Sequence, residues 1–225
     1  MSEWWTYSLT NFLLFSPRTY YRLFELTNAD VWPLQLVTLA LGVAIAFLMV
    51  RARARSGRAV AAILAALWLL VAWAFLLERY DTINWAARYF AIAFVLQAAL
   101  LVWSGIIRDH LVFSARDTAA KTGLALLFYA LAIHPLIAPL TGRPITQAEI
   151  FGLAPDPTAI GAIGILLAAE RPSLHLLAVP FLWCLLSGLT LWTMESPEAP
   201  IGPLLGALGV ALGLRKSLAS RRKPR

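Results

Sequence analysis

One cysteine, three histidines and few charges are what this chain offers to chemistry. The lone Cys184 excludes an intrachain disulfide and any paired-cysteine metal relay. Only 14% of the residues are charged, against about 25% in soluble domains. Catalytic signatures are missing as well. No HExxH helix and no Walker glycine loop occurs, and Leu185-Leu186-Ser187-Gly188 lacks the first glycine of an intramembrane serine-protease GxSG pattern. Ser187 reads as a helix-contact residue. Met1-Ser2-Glu3-Trp4-Trp5 lacks the basic region and compact apolar core of a cleavable signal, so the first apolar run is expected to target the chain.

What is abundant is apolar length. Hydrophobic residues make up 60% of the 225, and the mean hydropathy is +0.72. Seven runs, near 32–50, 59–77, 86–107, 122–140, 150–169, 174–192 and 200–214, approach the roughly 20 residues that cross a hydrocarbon core. The expectation is an all-α polytopic transmembrane helix bundle of seven spans in a lipid bilayer. Residues 1–31 form an outer interfacial amphipathic segment, 32–214 the bundle and 215–225 a basic cytoplasmic tail. The net charge of +7 sits in short segments between apolar runs, which fits membrane orientation rather than nucleic acid. Fourteen of the nineteen cations fall on one set of alternate segments and five on the other, so the N-terminus is expected outside and the C-terminus inside. Before the first run, Trp4, Trp5, Tyr7, Phe12 and Phe15 precede Ser16-Pro17, a good N-cap and first helical residue. That segment reads as an aromatic anchor at the outer face, with a lid over a pore as the alternative.

The fifth run is broken by Pro155-Asp156-Pro157. Backbone irregularity at membrane depth survives only where it faces protein or a wet cavity. Asp156 then reads as an N-cap with Pro157 first in the helix, at either a cavity wall or a deep structural cap. Gln97 and His134, the latter ahead of Pro135, are polar residues in apolar runs. They join Asp156 as a candidate solute or ion path, although mutual hydrogen bonding also explains them. Glu78 and Arg88 are expected to form a structural ion pair across a short hairpin, and Gly202, Gly206, Gly209 and Gly213 a close-packing face. His134 and His175 fall too far apart in depth for opposing haem ligation, and His175 and Cys184 are too far apart for a shared metal. No metal and no cofactor is expected.

Phe15-Ser16-Pro17-Arg18, Val31-Trp32-Pro33-Leu34-Gln35, Arg79-Tyr80 with Ile83-Asn84-Trp85-Ala86-Ala87, Pro155-Asp156-Pro157-Thr158 and Pro180-Phe181-Leu182-Trp183-Cys184 span nearly the whole chain. Together they resemble a bacterial multi-pass membrane protein family of unassigned function. The resemblance implies the bacterial inner membrane and transfers no substrate or catalytic residue. The leading reading is a small-solute or ion permease using the broken fifth span. The alternative is a noncatalytic accessory or assembly subunit whose partner is another membrane protein or a second copy of itself; a membrane enzyme stands third. A reporter fused after Arg225 is expected to read out on the cytoplasmic side, and an extracytoplasmic signal would overturn the orientation.

Overall fold

The computed structural model describes residues 15–53, 55–113 and 117–221. The aromatic residues before Phe15, Arg116, and Arg222, Lys223 and Arg225 of the basic tail lie outside the described residues. Those described are almost entirely helical, with one isolated bridge between Phe151 and Ala154.

Helix α1, Pro17–Asp30, starts where Ser16 Oγ accepts from Thr19 N at 3.2 Å and Pro17 supplies the preset φ of a first helical residue. Its buried face, Tyr20, Tyr21, Leu23, Phe24 and Thr27, has helical spacing. That face lies on the bundle: Phe24 stacks on Phe75 at 4.6 Å, and Tyr20 meets Tyr80 edge-on at 5.8 Å. Helix α2 is Leu34–Arg51, and α3, Ser56–Val71, continues through a π turn at Ala72–Leu77. Helix α4, Ala87–Leu101, likewise runs into a π turn at Val102–Ile107. Helix α5, Thr118–Phe128, widens at Tyr129–Ile133 and tightens at His134–Leu136 before α6, Ile137–Leu140. Pro135 accounts for this: it has no N–H to donate, and its ring crowds the carbonyl four residues back. Helices α7, Pro155–Ala168, α8, Leu174–Thr193, and α9, Ile201–Arg221, complete the chain.

Among the described residues six helices are long and apolar enough to cross a bilayer: Leu34–Arg51, Ser56–Thr82, Ala87–Ile107, Thr118–Leu140, Leu174–Thr193 and Ile201–Ala219. The fifth apolar run behaves differently from the others. All fourteen residues of α7 are buried, as expected of a helix that is apolar all round. At about 1.5 Å per residue it extends roughly 21 Å, short of the roughly 30 Å of a hydrocarbon core. The five residues before it fold as a turn, with Ala154 N donating to Ile150 O at 2.8 Å. Gly152 holds φ +83° there, against Leu67 and Thr38. The helix also starts earlier than its sequence suggests. Ala154 is the N-cap, and Pro155 and Asp156 are the first two helical residues, so the Asp156 carboxylate is not a cap.

Helix α7 is the axis around which α3, α5, α8 and α9 pack. Gly123 of α5 and Gly164 of α7 meet backbone to backbone, where a Cβ on either would run into the other's carbonyl oxygen. The expected small face of α9 is used within the chain. A Cβ at Gly206 would lie 3.2 Å from Cys184 Cβ and one at Gly213 3.0 Å from Leu177, while Gly209 faces Ile163 and Gly202 the Cys184 carbonyl. At the far end of α7, Lys216 Nζ reaches Leu167 O at 3.3 Å and Asp117 Oδ2 at 3.2 Å. Burial pushes the Asp117 carboxyl up, but the N–H of Ala120, which Asp117 caps, and the Lys216 ammonium outweigh it and hold it below the usual range.

Cross-links between ends fix the chain's alternation. Ser104 Oγ lies 3.2 Å from His175 Nε2, and Glu170 N donates to Val112 O at 2.8 Å, so the end of α4 and the starts of α5 and α8 share one end of the bundle. Tyr21 reaches Glu198 at the other. Gly164→Val is expected to cost about 1–3 kcal/mol or more by overpacking, read as a lower thermal midpoint in detergent. Gly202→Ala, whose nearest heavy atom is 3.3 Å away, should cost far less. Equal midpoints would show that the α5–α7 approach does not limit stability.

Candidate functional site

Asp156 lies in the first turn of α7 and is 7% exposed. Its Oδ1 accepts from Trp183 Nε1 at 2.7 Å, and its Oδ2 from Ser187 Oγ at 2.6 Å. The two donors are four residues apart on α8 and therefore share one face. Hydrogen bonds to a charged group contribute about 1.5–3 kcal/mol each, and the N-terminal end of α7 adds a favourable dipole. Ser187 is six residues from Thr193, so the carboxylate sits on the order of 9 Å below the end of α8.

Two further carboxylates converge on this end of the bundle. Glu198, in the α8–α9 connection, accepts from Tyr21 Oη and from Arg143 Nη2, each at 2.7 Å. Tyr21 also lies 2.6 Å from Ser196 Oγ, and the Arg143 guanidinium covers its ring at 3.7 Å. Burial pushes the Tyr21 phenol well up; its bond to Ser196 opposes this and the Glu198 carboxylate adds to it. Glu149 Oε2 stands 3.6 Å from His134 Nε2, too long for a hydrogen bond but close enough for an ion pair when the imidazole is protonated. His134 Nδ1 is 3.3 Å from Tyr129 Oη. On α1, burial pushes the Tyr20 phenol well above its ordinary value, and the charges of Asp156 and Glu149 push it further. Arg143 is the guanidinium in contact with the group. Three buried side-chain atoms in it have no hydrogen-bond partner: Glu149 Oε2, Glu198 Oε2 and Arg143 Nη1.

Of the residues singled out by sequence, Asp156 and His134 enter this cluster and Gln97 does not. Gln97 Nε2 donates to Leu176 O at 2.9 Å. Leu176 and Ser187 are eleven residues apart on α8, about 16 Å by helical rise. The pair expected between Glu78 and Arg88 is replaced: Arg88 Nε and Nη2 clasp Asp81 at 2.9–3.0 Å, and Arg79 pairs with Asp30. Seven residues separate Arg88 from Asp81 across the turn, and the bidentate fork fits a carboxylate there. Sequence reading passed over Glu149, Glu198, Arg143 and Tyr21. The two glutamates had one signal, rarity, since the chain has just twelve acidic residues. Among the described residues no three of His, Cys, Asp and Glu are grouped to hold a metal ion.

Residues 18–223 match the model of a family described as a family of unknown function, DUF6064. The chain belongs to that family. No curated protein matches it, and no solved structure does. In this DUF6064 protein, Trp183→Phe keeps a ring against Phe90 and Phe94 but leaves Asp156 Oδ1 without its donor. The expected loss is about 1–3 kcal/mol, measured as a shift of the thermal midpoint in detergent. A midpoint within error of wild type would show that the indole does not hold the carboxylate.

Proposed function

We propose that this integral membrane protein is a small-solute or ion permease and that its acidic end binds a proton or a small cation. The observation that carries the reading is the excess of buried carboxylate: Glu149, Asp156 and Glu198 against Arg143, with His134 as the titratable neighbour. Ionisable groups inside a bilayer are expensive, and they cluster at ion and proton pathways. In this reading the molecule is closed toward the opposite end, because the remainder of α7 is sealed by the Gly123–Gly164 approach. Passage would require α5 and α7 to part.

The same reading takes α7 as a seventh crossing, with the N-terminus outside, the C-terminus inside and the bacterial inner membrane as location. The alternation of ends supports it, as does the bias of cations toward one set of segments. The acidic group would then face the outer water beneath α1. The alternative, an accessory or assembly subunit, draws less from α9 than its sequence suggests, since its four glycines face α7 and α8.

Purified protein in liposomes is expected to carry protons or a monovalent or divalent cation down a gradient. Glu149→Gln should lower that flux about tenfold or more, the equivalent of about 1.4 kcal/mol in the barrier, and Asp156→Asn should lower it together with the folded yield. Absence of flux across a panel of protons, alkali and alkaline-earth cations and small solutes would overturn the permease reading.

A further inference from the structure

A groove of about 610 Å³ opens between α1, the start of α2 and the Pro135 bend, lined by Ala29, Trp32, Gln35, Pro135, Ile145 and Ile150 among others. Its size falls within the roughly 300–1,000 Å³ of small-molecule sites. The groove is at the flank of the bundle: Trp32, Leu36, Leu136 and Ile145 beside it are 66%, 58%, 49% and 59% exposed. These are exposed apolar surfaces of the kind a bilayer covers, and they belong to or adjoin α2 and the α5–α6 segment, both apolar enough to cross one.

Glu25, Asn28, Gln35 and Thr146 are the polar residues of its wall, and the first three define a chemistry. Gln35 is 8% exposed. Its Nε2 donates to the Asn28 carbonyl at 2.6 Å and contacts Asn28 Oδ1 at 3.4 Å. Both partners are acceptors, so the amide's orientation is determined and the remaining atom, Oε1, is a buried acceptor without a hydrogen-bond partner. Asn28 Nδ2 is engaged by the carbonyls of Thr146 and Ala148 at 2.9 and 2.8 Å. Glu25 completes the set. Its carboxylate is held below its ordinary range by Gln147, against burial, and by Arg22. Among the described residues no lysine or arginine lines the groove; Arg22 is engaged with Glu25 Oε1 at 2.6 Å. Glu25 Oε2 also accepts from Gln147 Nε2 at 3.2 Å, so the group still unanswered is Gln35 Oε1; an occupant is asked for a hydrogen-bond donor at its polar end, beside an ion-paired carboxylate, and for hydrocarbon beyond it.

We propose that this groove seats an acyl chain of a bilayer phospholipid whose head group carries a primary ammonium, with Gln35 Oε1 accepting from that ammonium beside the Glu25–Arg22 pair. A trimethylammonium head has no N–H to donate and leaves Gln35 unanswered. An anionic head without an amine brings the same phosphate and no ammonium to set beside the Glu25 carboxylate. Gln35 Oε1 is shielded by its neighbours, so engaging it takes a small side-chain shift. The site stands apart from the acidic cluster, and its occupancy does not depend on whether the protein carries a solute.

The full chain, purified in mild detergent and offered equal amounts of phosphatidylethanolamine, phosphatidylcholine and phosphatidylglycerol, tests this by native mass spectrometry. One phosphatidylethanolamine should be retained per chain, about tenfold over the other two, a difference of about 1.4 kcal/mol. Gln35→Leu, which keeps the bulk and removes the acceptor, should bring retention down to the phosphatidylcholine level. Ala29→Trp, which fills the groove, should abolish it, whereas Val43→Trp on the exposed face of α2 should leave it unchanged. Equal retention of all three lipids by the native chain would overturn the proposal. So would undiminished phosphatidylethanolamine binding in Gln35→Leu protein that elutes as folded, or a chain that pairs with a second copy and keeps no lipid.

Discussion

The Thr158 hydroxyl makes the break in the fifth apolar run tolerable, and much of the architecture follows from it. In hydrocarbon every backbone donor and acceptor needs a partner. Thr158 Oγ1 accepts from Gly152 N at 2.8 Å and donates to Ala154 O at 2.6 Å, so one buried side chain serves both sides of the turn. The prolines then cost little. The first N–H groups of a helix have no intrahelical partner, and Pro155 and Pro157 remove two that would otherwise need one. Asp156, between them, turns to α8 rather than back on its own backbone.

A helix that begins below the end of its neighbours and is buried all round must be packed on every side, and small residues do that. Gly123 and Gly164 bring α5 and α7 into backbone contact, while Gly161 admits the Phe151 ring and Gly209 the Ile163 side chain. The outer helices are consequently the ones that meet lipid: only 17% of the α9 window and 28% of the α2 window are buried inside the chain. The shortness of α7 also leaves space at one end, which α1 and the loops around Arg143, Glu149 and Glu198 fill with polar side chains.

Rows of apolar residues announced the six long helices, and Pro155-Asp156-Pro157 announced the interrupted one; those are properties of local length and of residues that cannot continue a helix. Rotation about each helix axis was not legible. Gln97 and Asp156 both looked like mid-membrane polarity, yet they bond to α8 at levels about 16 Å apart. The Tyr21–Glu198 bond joins residues 177 positions apart, and no spacing rule connects an interfacial aromatic to an acidic residue in the last connection. The described part of the interfacial segment shows the same limit. Amphipathicity indicated that α1 would bury a face, and what that face covers is bundle: Phe75 and Tyr80 receive its aromatic rings.

The three carboxylates at that end differ in how far the protein satisfies them, and the difference separates anchoring from exchange. Asp156 has a donor on each oxygen and a helix end behind it, so its carboxyl group is held in place on both sides. Glu198 has two donors on Oε1 and none on Oε2. Glu149 Oε2 has an imidazole at 3.6 Å and no hydrogen bond. A buried group left unsatisfied costs about 1–3 kcal/mol, more when charged, and that cost is relieved by a proton or a cation rather than by repacking. In the permease reading Glu149, which unlike Glu198 has no arginine on it, is the carboxylate with most to gain from a bound cation. Asp156, the residue most conspicuous in the sequence, holds α7 to α8 through Trp183 and Ser187.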